Sequence, residues 1–222
     1  MTVDPDLAAL GEVFETARRM GFLGPGPAAE QSAHASAFGR LLETVGAGPA
    51  VFLDLGSGGG VPGLVLAALW PEQTGTLLDS SQRRTAFLRR TVVALGWAAR
   101  VSVVEGRAES LARDRGLRAT FPLVVSRSFA TPSVTAEIGG AFLTEGGRLA
   151  VSEPNELGSR GGEPDSGRPG ARWPTVGLAD LGLGAAETAR GEGARVAVMR
   201  RTHPVDDRWP RADGIPAKRP LW

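Results

Sequence analysis

Between Val51 and Asp79 the chain places two carboxylates around a glycine cluster, an arrangement suited to holding a small, positively charged ligand. The run Val51-Phe-Leu-Asp54-Leu-Gly56-Ser57-Gly58-Gly-Gly60-Val-Pro62-Gly63 sets its glycines between a candidate strand and a candidate helix. Glycine lets a ligand touch the backbone there, because no Cβ blocks the approach and positive φ is allowed. Asp54, two residues before the first glycine, stands where a carboxylate can meet a ligand's ammonium group directly or through water; a pyrophosphate would be repelled. Asp79, followed by Ser80 at the end of the next strand, is placed to accept hydrogen bonds from both hydroxyls of an adenosine ribose. Gly58 to Gly63 also satisfies the dinucleotide pattern GxGxxG, so spacing alone does not separate NAD from S-adenosylmethionine. The two carboxylates favour the sulfonium cation, and S-adenosylmethionine is the expected cofactor. The bland alternative is a tightly packed glycine turn with both aspartates capping helices.

Composition removes several chemistries. The 222 residues contain no cysteine, which excludes disulfides, thiolate zinc sites and a sulfur nucleophile. His34 and His203 are the only imidazoles and have no carboxylate spacing around them, so no metal is expected. Lys and Arg number 25 against 24 Asp and Glu, so nucleic-acid binding would have to use a local patch. Asp4 and Asp6 replace the basic opening of an export signal, and no apolar run approaches the ~18 residues of a membrane span. A cytoplasmic protein with no membrane partner is expected, a monomer by default.

The elements that must position these residues alternate. Residues 5 to about 21 and 27 to about 45 carry apolar side chains at helical spacing, a helical lead over 1–48. Val51 to Asp54 reads as a buried strand, Pro62 to Trp70 as a helix with proline in its first turn, and Thr76 to Asp79 as a second strand. Gln82 to Leu95 is a helix with Leu88, Val92 and Leu95 on its buried stripe. Strands follow at Val101 to Val104, Leu123 to Ser126, Arg148 to Ser152 and Arg195 to Arg201, with helices at Glu109 to Arg113 and Ser133 to Phe142 between them. This pattern predicts an α/β, doubly wound Rossmann-like sheet, mostly parallel with an antiparallel last strand, in one domain over 1–222. Between Glu153 and Gly170, ten of eighteen residues are Gly, Pro or Ser, which predicts a mobile surface loop. It is either a tolerated insertion or a substrate lid.

DLGSGGGVPG, TLLDSSQRRTAFLRR, VEGRAESL, VVSRSFATPS and the tail WPRADGIPAKRPLW together resemble the small-subunit (16S) ribosomal RNA guanine-N7 methyltransferases, once called glucose-inhibited division protein B. The resemblance runs from about Val51 to Trp222. It implies a class I methyltransferase fold, S-adenosylmethionine as cofactor, and the small ribosomal subunit as partner. By that resemblance Asp54, Gly56, Ser57, Gly58, Gly60, Pro62 and Gly63 would hold the methionine end, Asp79 and Ser80 the ribose, and Arg107-Ala108-Glu109 the adenine edge. Ser126, Arg127 and Phe129 would face the target, with Ser126 also beside the cofactor. The N-P-P-aromatic motif of exocyclic-amine methyltransferases is absent from this position. The chain departs from the family at a missing N-terminal W-N-x-x-x-N-L-T segment, at His34 where an arginine-histidine pair is usual, and at Glu153 where a lysine ends the fifth strand. A glutamate there would repel phosphate.

Guanine N7 offers a lone pair and no proton, so its methylation needs alignment and no general base. Arg127 could donate to the base or hold a phosphate, and Phe129 could stack on a base face; second-shell packing is the competing role for either. Two basic stretches are candidate RNA surfaces: Ser80 to Val104, with five arginines and no acid, and Arg195 to Trp222, with seven Lys or Arg against three Asp. The first reads equally as a solvated helix face, the second as a strap across the sheet. Two further functions remain open from sequence: the same site redirected to a small molecule or peptide, and a non-catalytic cofactor-binding protein.

Overall fold

The computed structural model describes residues 5–48, 50–154 and 172–222. Two helices lead, α1 (Pro5–Arg19) and α2 (Ala28–Thr44), and an alternating series follows: β1 (Val51–Leu55), α3 (Gly63–Leu69), β2 (Thr74–Asp79), α4 (Gln82–Ala94), β3 (Val101–Glu105), α5 (Ala108–Leu111), β4 (Phe121–Ser126), α6 (Pro132–Phe142) and β5 (Leu143–Ser152). The chain closes with α7 (Thr175–Asp180), β6 (Glu187–Gly191), β7 (Ala194–Arg200) and α8 (Ile215–Lys218).

The strands form one seven-stranded sheet in the order β3-β2-β1-β4-β5-β7-β6. β1 to β5 are mutually parallel; β7 runs antiparallel to β5, and β6 antiparallel to β7. Chain order reverses between β1 and β4, and in such sheets the ligand crevice opens outside the carboxyl ends of the strands at that switch point. Asp54 and Ser126 lie at those two strand ends.

The central strands are apolar almost throughout because both faces are covered. Phe52, Leu77, Leu123 and Val125 pack with Phe14, Phe38, Leu64 and Leu88, so α1 to α4 cover one face. Leu53, Leu55, Leu78 and Val124 pack with Val134, Ile138, Phe142 and Leu178 on the other. The helical lead joins the first layer, and Trp70 Nε1 donates to Glu43 Oε1 at 2.7 Å to fix α2 on the end of α3.

Three differences from the sequence reading have local causes. β6 was not expected: its Glu-Thr-Ala-Arg-Gly sequence is exposed at nearly every position, so it lacks the alternation that marks a half-buried strand. β5 begins at Leu143, ahead of the expected Arg148: Leu143 pairs with Phe121 before a register shift, and Gly146 and Gly147 inside the strand interrupt the apolar pattern. α7 and α8 are too short to show helical periodicity. Of the glycine-rich loop expected at 153–170, all but Glu153 and Pro154 lies outside the described residues. Among the described residues no helix is long and apolar enough to cross a membrane.

Both basic stretches are largely engaged within the protein. On and after α4, Arg83 lies over the Phe22 ring, Arg84 faces Asp79, Arg89 pairs with Glu105 and Arg100 stacks on Trp97. In the tail, the Arg211 guanidinium grips the fully buried Glu137 of α6. Arg118 donates to the carbonyls of Val205, Asp206 and Trp209. Leu221 N donates to Ser133 Oγ at 2.9 Å. The tail is thus a strap across the second helical layer.

Candidate cofactor and acceptor site

The glycine loop is tied down from below. The amides of Gly56 and Ser57 both donate to the Leu78 carbonyl at 2.9 Å, and the Ser57 hydroxyl returns to the Asp54 carbonyl at 3.0 Å. Gly63 opens α3 against Asp54: its amide donates to Asp54 Oδ2 at 3.0 Å, and a Cβ at Gly63 would fall 2.5 Å from that same oxygen. Only glycine permits this approach. Pro62 caps α3, where a missing amide leaves no hydrogen bond unmade.

Asp54 is fully buried, and its second oxygen, Oδ1, has no hydrogen-bond partner among the described residues. Burial drives its pKa up to about 7, against the Gly63 amide and the Arg127 charge, which favour the anion. Such an oxygen is costly until a donor reaches it. A ligand ammonium group is a donor that would also stabilise the ionised form.

Asp79 is almost fully buried and ties the loop to the next turn: Oδ2 accepts the Gly58 amide at 2.9 Å and Oδ1 the Ser81 amide at 2.8 Å. Each carboxylate oxygen still has acceptor capacity for a ribose hydroxyl, and Ser80 is exposed beside it. Farther along, Glu109 is buried and accepts from Arg107 at 2.9 Å and from the Gly214 amide at 3.3 Å. Glu109 therefore clips the C-terminal strap to α5, and Ala108 is buried beneath it.

The segment after β4 forms the other wall. Ser126 is buried, its hydroxyl directed to the Leu55 carbonyl at 3.4 Å. Ser128 is non-glycine yet left-handed, with φ 57°; such strain concentrates where a loop is held for function. Phe129 lies against the glycine loop: a Cβ at Gly56, whose φ is 76°, would stand 2.6 Å from the Phe129 ring. Beyond this ring opens a cavity of about 1080 Å³ between α2, the ends of β4 and β5 and the β6–β7 turn, lined by Gln31, His34, Arg40, Arg127 and Glu153 among others.

Two of its features were not evident in sequence. Arg127, half-buried, donates from Nη2 to Gln31 Oε1 at 2.7 Å, so α2 fixes the guanidinium. His34 Nδ1 is buried without a partner among the described residues, and burial together with Arg127 lowers the His34 pKa. The expected phosphate repulsion by Glu153 is muted: this buried carboxylate accepts from Trp173 Nε1 and pairs with Arg172, each at 2.9 Å. The first turn after α1 also closes on the loop, since a Cβ at Gly59 would lie 2.6 Å from Leu23 and 3.0 Å from the Phe22 carbonyl.

The structure thus brings Asp54, the glycines, Asp79 and Ser126 to Phe129 around one crevice and sets Arg107 to Glu109 at its margin. Asp54's unpartnered oxygen, the glycine backbone of the loop and the Asp79 carboxylate fit the ammonium and ribose of S-adenosylmethionine. Solved structures of the same fold include an O-methyltransferase from Bacillus cereus in complex with SAH, at TM-score 0.57 and 14% identity over 91% of this chain and 93% of that one. A putative O-methyltransferase from Klebsiella pneumoniae gives TM-score 0.56 at 16% identity, over 91% and 92%. Fold and site define a Rossmann-like, S-adenosylmethionine-dependent methyltransferase. The family model for rRNA small subunit methyltransferase G (GidB) matches residues 40–153. A protein of Moorella thermoacetica named ribosomal RNA small subunit methyltransferase G is 34% identical over 176 residues, 76% of this chain and 68% of its own length. Its namesake from Deinococcus deserti is 34% identical over 174 residues, 77% and 68% respectively. The chain belongs to this family.

Proposed function

We propose that the protein methylates N7 of a guanine in the 16S RNA of the small ribosomal subunit, as a cytoplasmic monomer whose residues 1–222 act as one methyltransferase unit. The observation that carries the reading is the junction at Phe129, where the glycine loop meets a cavity walled by a fixed guanidinium. The name shared by its relatives supports the ribosomal acceptor.

S-adenosylmethionine supplies an electrophilic methyl group when bound. Asp54 would take its ammonium group, the backbone of Gly56, Ser57, Gly58 and Gly60 its methionine end, and Pro62 and Gly63 the geometry beneath. Asp79 and Ser80 would hold the ribose, and Arg107, Ala108 and Glu109 border the adenine edge. Ser126 closes the β4 side, Phe129 packs on the base, and Arg127 donates to its O6. Because N7 carries no proton, these residues need only align and desolvate; such positioning contributes roughly 7 to 11 kcal/mol of barrier reduction.

The test incubates the protein with methyl-tritiated S-adenosylmethionine and small subunits from cells lacking the gene, with Asp54→Ala as the blank. Label is expected in the RNA, on guanine N7, and absent with the variant. Cofactor binding without label in either subunits or naked RNA would remove the ribosomal acceptor.

A further inference from the structure

At the end of the sheet remote from the cofactor, we propose a phosphate-binding site built on Arg115, Arg118 and Arg201. A hollow of about 380 Å³ opens there at the start of β4 and β5, and Glu145 is the one carboxylate among the residues that line it with these arginines.

The charges are poorly compensated. Arg201 is 2% exposed and meets the carbonyls of Gly140, Leu181 and His203, while its Nε has no partner among the described residues. Arg118 also donates mainly to carbonyls, and its Asp207 partner, 3.6 Å away, is fully exposed. Carbonyls satisfy N–H groups without cancelling their charge, and an exposed ion pair contributes little. Burial and the neighbouring Arg118 pull the Arg201 pKa down to about 10, which leaves it cationic at neutral pH. Arg115 is exposed at the rim.

Two further features bear on this place. Ala119, on the wall of the hollow, is left-handed at φ 55°, a strained conformation for a residue with a Cβ. Alongside, at the strand ends, Arg200 lines an adjoining hollow with Arg201 and Glu145. A phosphate group offers the charge and the several acceptor oxygens that guanidinium forks match.

The phosphate is either free or part of an RNA backbone. The RNA source rests on the ribosomal acceptor proposed above; the phosphate chemistry does not. β5, ten residues long, spans about 33 Å, so RNA held here would flank the methylated nucleotide.

The test uses Arg115→Gln and Arg200→Gln, singly and together, since both residues are exposed and outside the cofactor and acceptor site. Melting temperature is measured in sodium phosphate and in sodium chloride at matched ionic strength. The wild type should melt several degrees higher in phosphate, and the double variant should lose most of that gain while binding S-adenosylmethionine normally. Binding of 16S RNA is then followed against salt, where each lost phosphate contact lowers the log–log slope by about one. A lost phosphate gain with a lower slope supports the site with RNA as its source; a lost gain with an unchanged slope supports it with free phosphate. No phosphate-specific gain in the wild type, or a gain that survives both substitutions, overturns the proposal. The melting arm reads out even if the protein methylates no RNA.

Discussion

Gln31 of α2 accepts the Arg127 guanidinium at 2.7 Å and, through its own amide nitrogen, donates to the Gly24 carbonyl at 2.8 Å. One side chain thus ties the turn between the two leading helices to the cation on the cavity wall, the group proposed to meet the acceptor. A hydrogen bond to a charged group contributes about 1.5 to 3 kcal/mol, equivalent to roughly ten- to a hundredfold. Gln31→Ala should lower kcat/KM for the RNA by about that factor and leave the S-adenosylmethionine Kd unchanged. If Gln31 acts through Arg127, the Gln31→Ala/Arg127→Ala pair will be no slower than Arg127→Ala alone. Additive losses would assign Gln31 a separate contact with the acceptor.

The Asp54 carboxyl, raised to about 7 by burial, links both stability and cofactor affinity to pH. A folded pKa above the unfolded value means that the native state holds the extra proton. The stabilisation is complete below about pH 4 and is lost as pH rises to about 7, by about 4 kcal/mol in all for this group. Cofactor binding has the opposite slope, because the ligand ammonium needs the ionised carboxylate. Between pH 5 and 7 the S-adenosylmethionine Kd should fall about fiftyfold, nearly tenfold over the first unit and about fivefold over the second, with proton release visible by calorimetry in buffers of different ionisation enthalpy. Asp54→Asn should bind weakly and with a flat pH profile; a wild-type affinity independent of pH would separate Asp54 from the ammonium.

Phe129 packs where Gly56 has no side chain. Gly56→Ala would place a methyl within 2.6 Å of the ring and also force a left-handed alanine at φ 76°. The backbone strain alone is about 1 to 2 kcal/mol. Chemical denaturation of Gly56→Ala, Phe129→Ala and the double variant should show the double variant more stable than the sum of the singles, because removing the ring relieves the clash. Strict additivity would show that the ring moves aside freely.

The cofactor half of the site is legible in the sequence because it is local: Asp54, the glycines and Pro62 act within one β–α turn, and Asp79 ends the next strand. The acceptor half is assembled from afar. Gln31 and Arg127 are separated by 96 residues, and nothing in the Gln31-Ser-Ala-His34 run marks one face of α2 as the wall of a cavity. Glu153 shows the same limit in the other direction, since its residue type predicts repulsion of phosphate while its partner, Arg172, lies 19 residues on. The sequence leaves the tail's cations open between an RNA surface and a strap because their acceptors, a buried carboxylate and backbone carbonyls, come from other elements.

The strongest of those tail contacts joins Arg211 to Glu137. Glu137, on α6, has a side chain with no exposure, and Arg211 gives it a two-pronged contact, Nε to Oε1 at 3.0 Å and Nη2 to Oε2 at 2.7 Å, reinforced by its own amide at 2.8 Å. Removing one member of such a pair strands a buried charge and costs about 3 to 5 kcal/mol. Arg211→Ala should therefore lower unfolding free energy by that amount, and Glu137→Gln, which strands only the partly exposed cation, by less. The strap also reaches Glu109 through Gly214 and Ser110 through Asp213, so detaching it should weaken S-adenosylmethionine binding from the adenine side. A stable Arg211→Ala protein with unchanged cofactor affinity would make the strap a purely structural closure of the second helical layer.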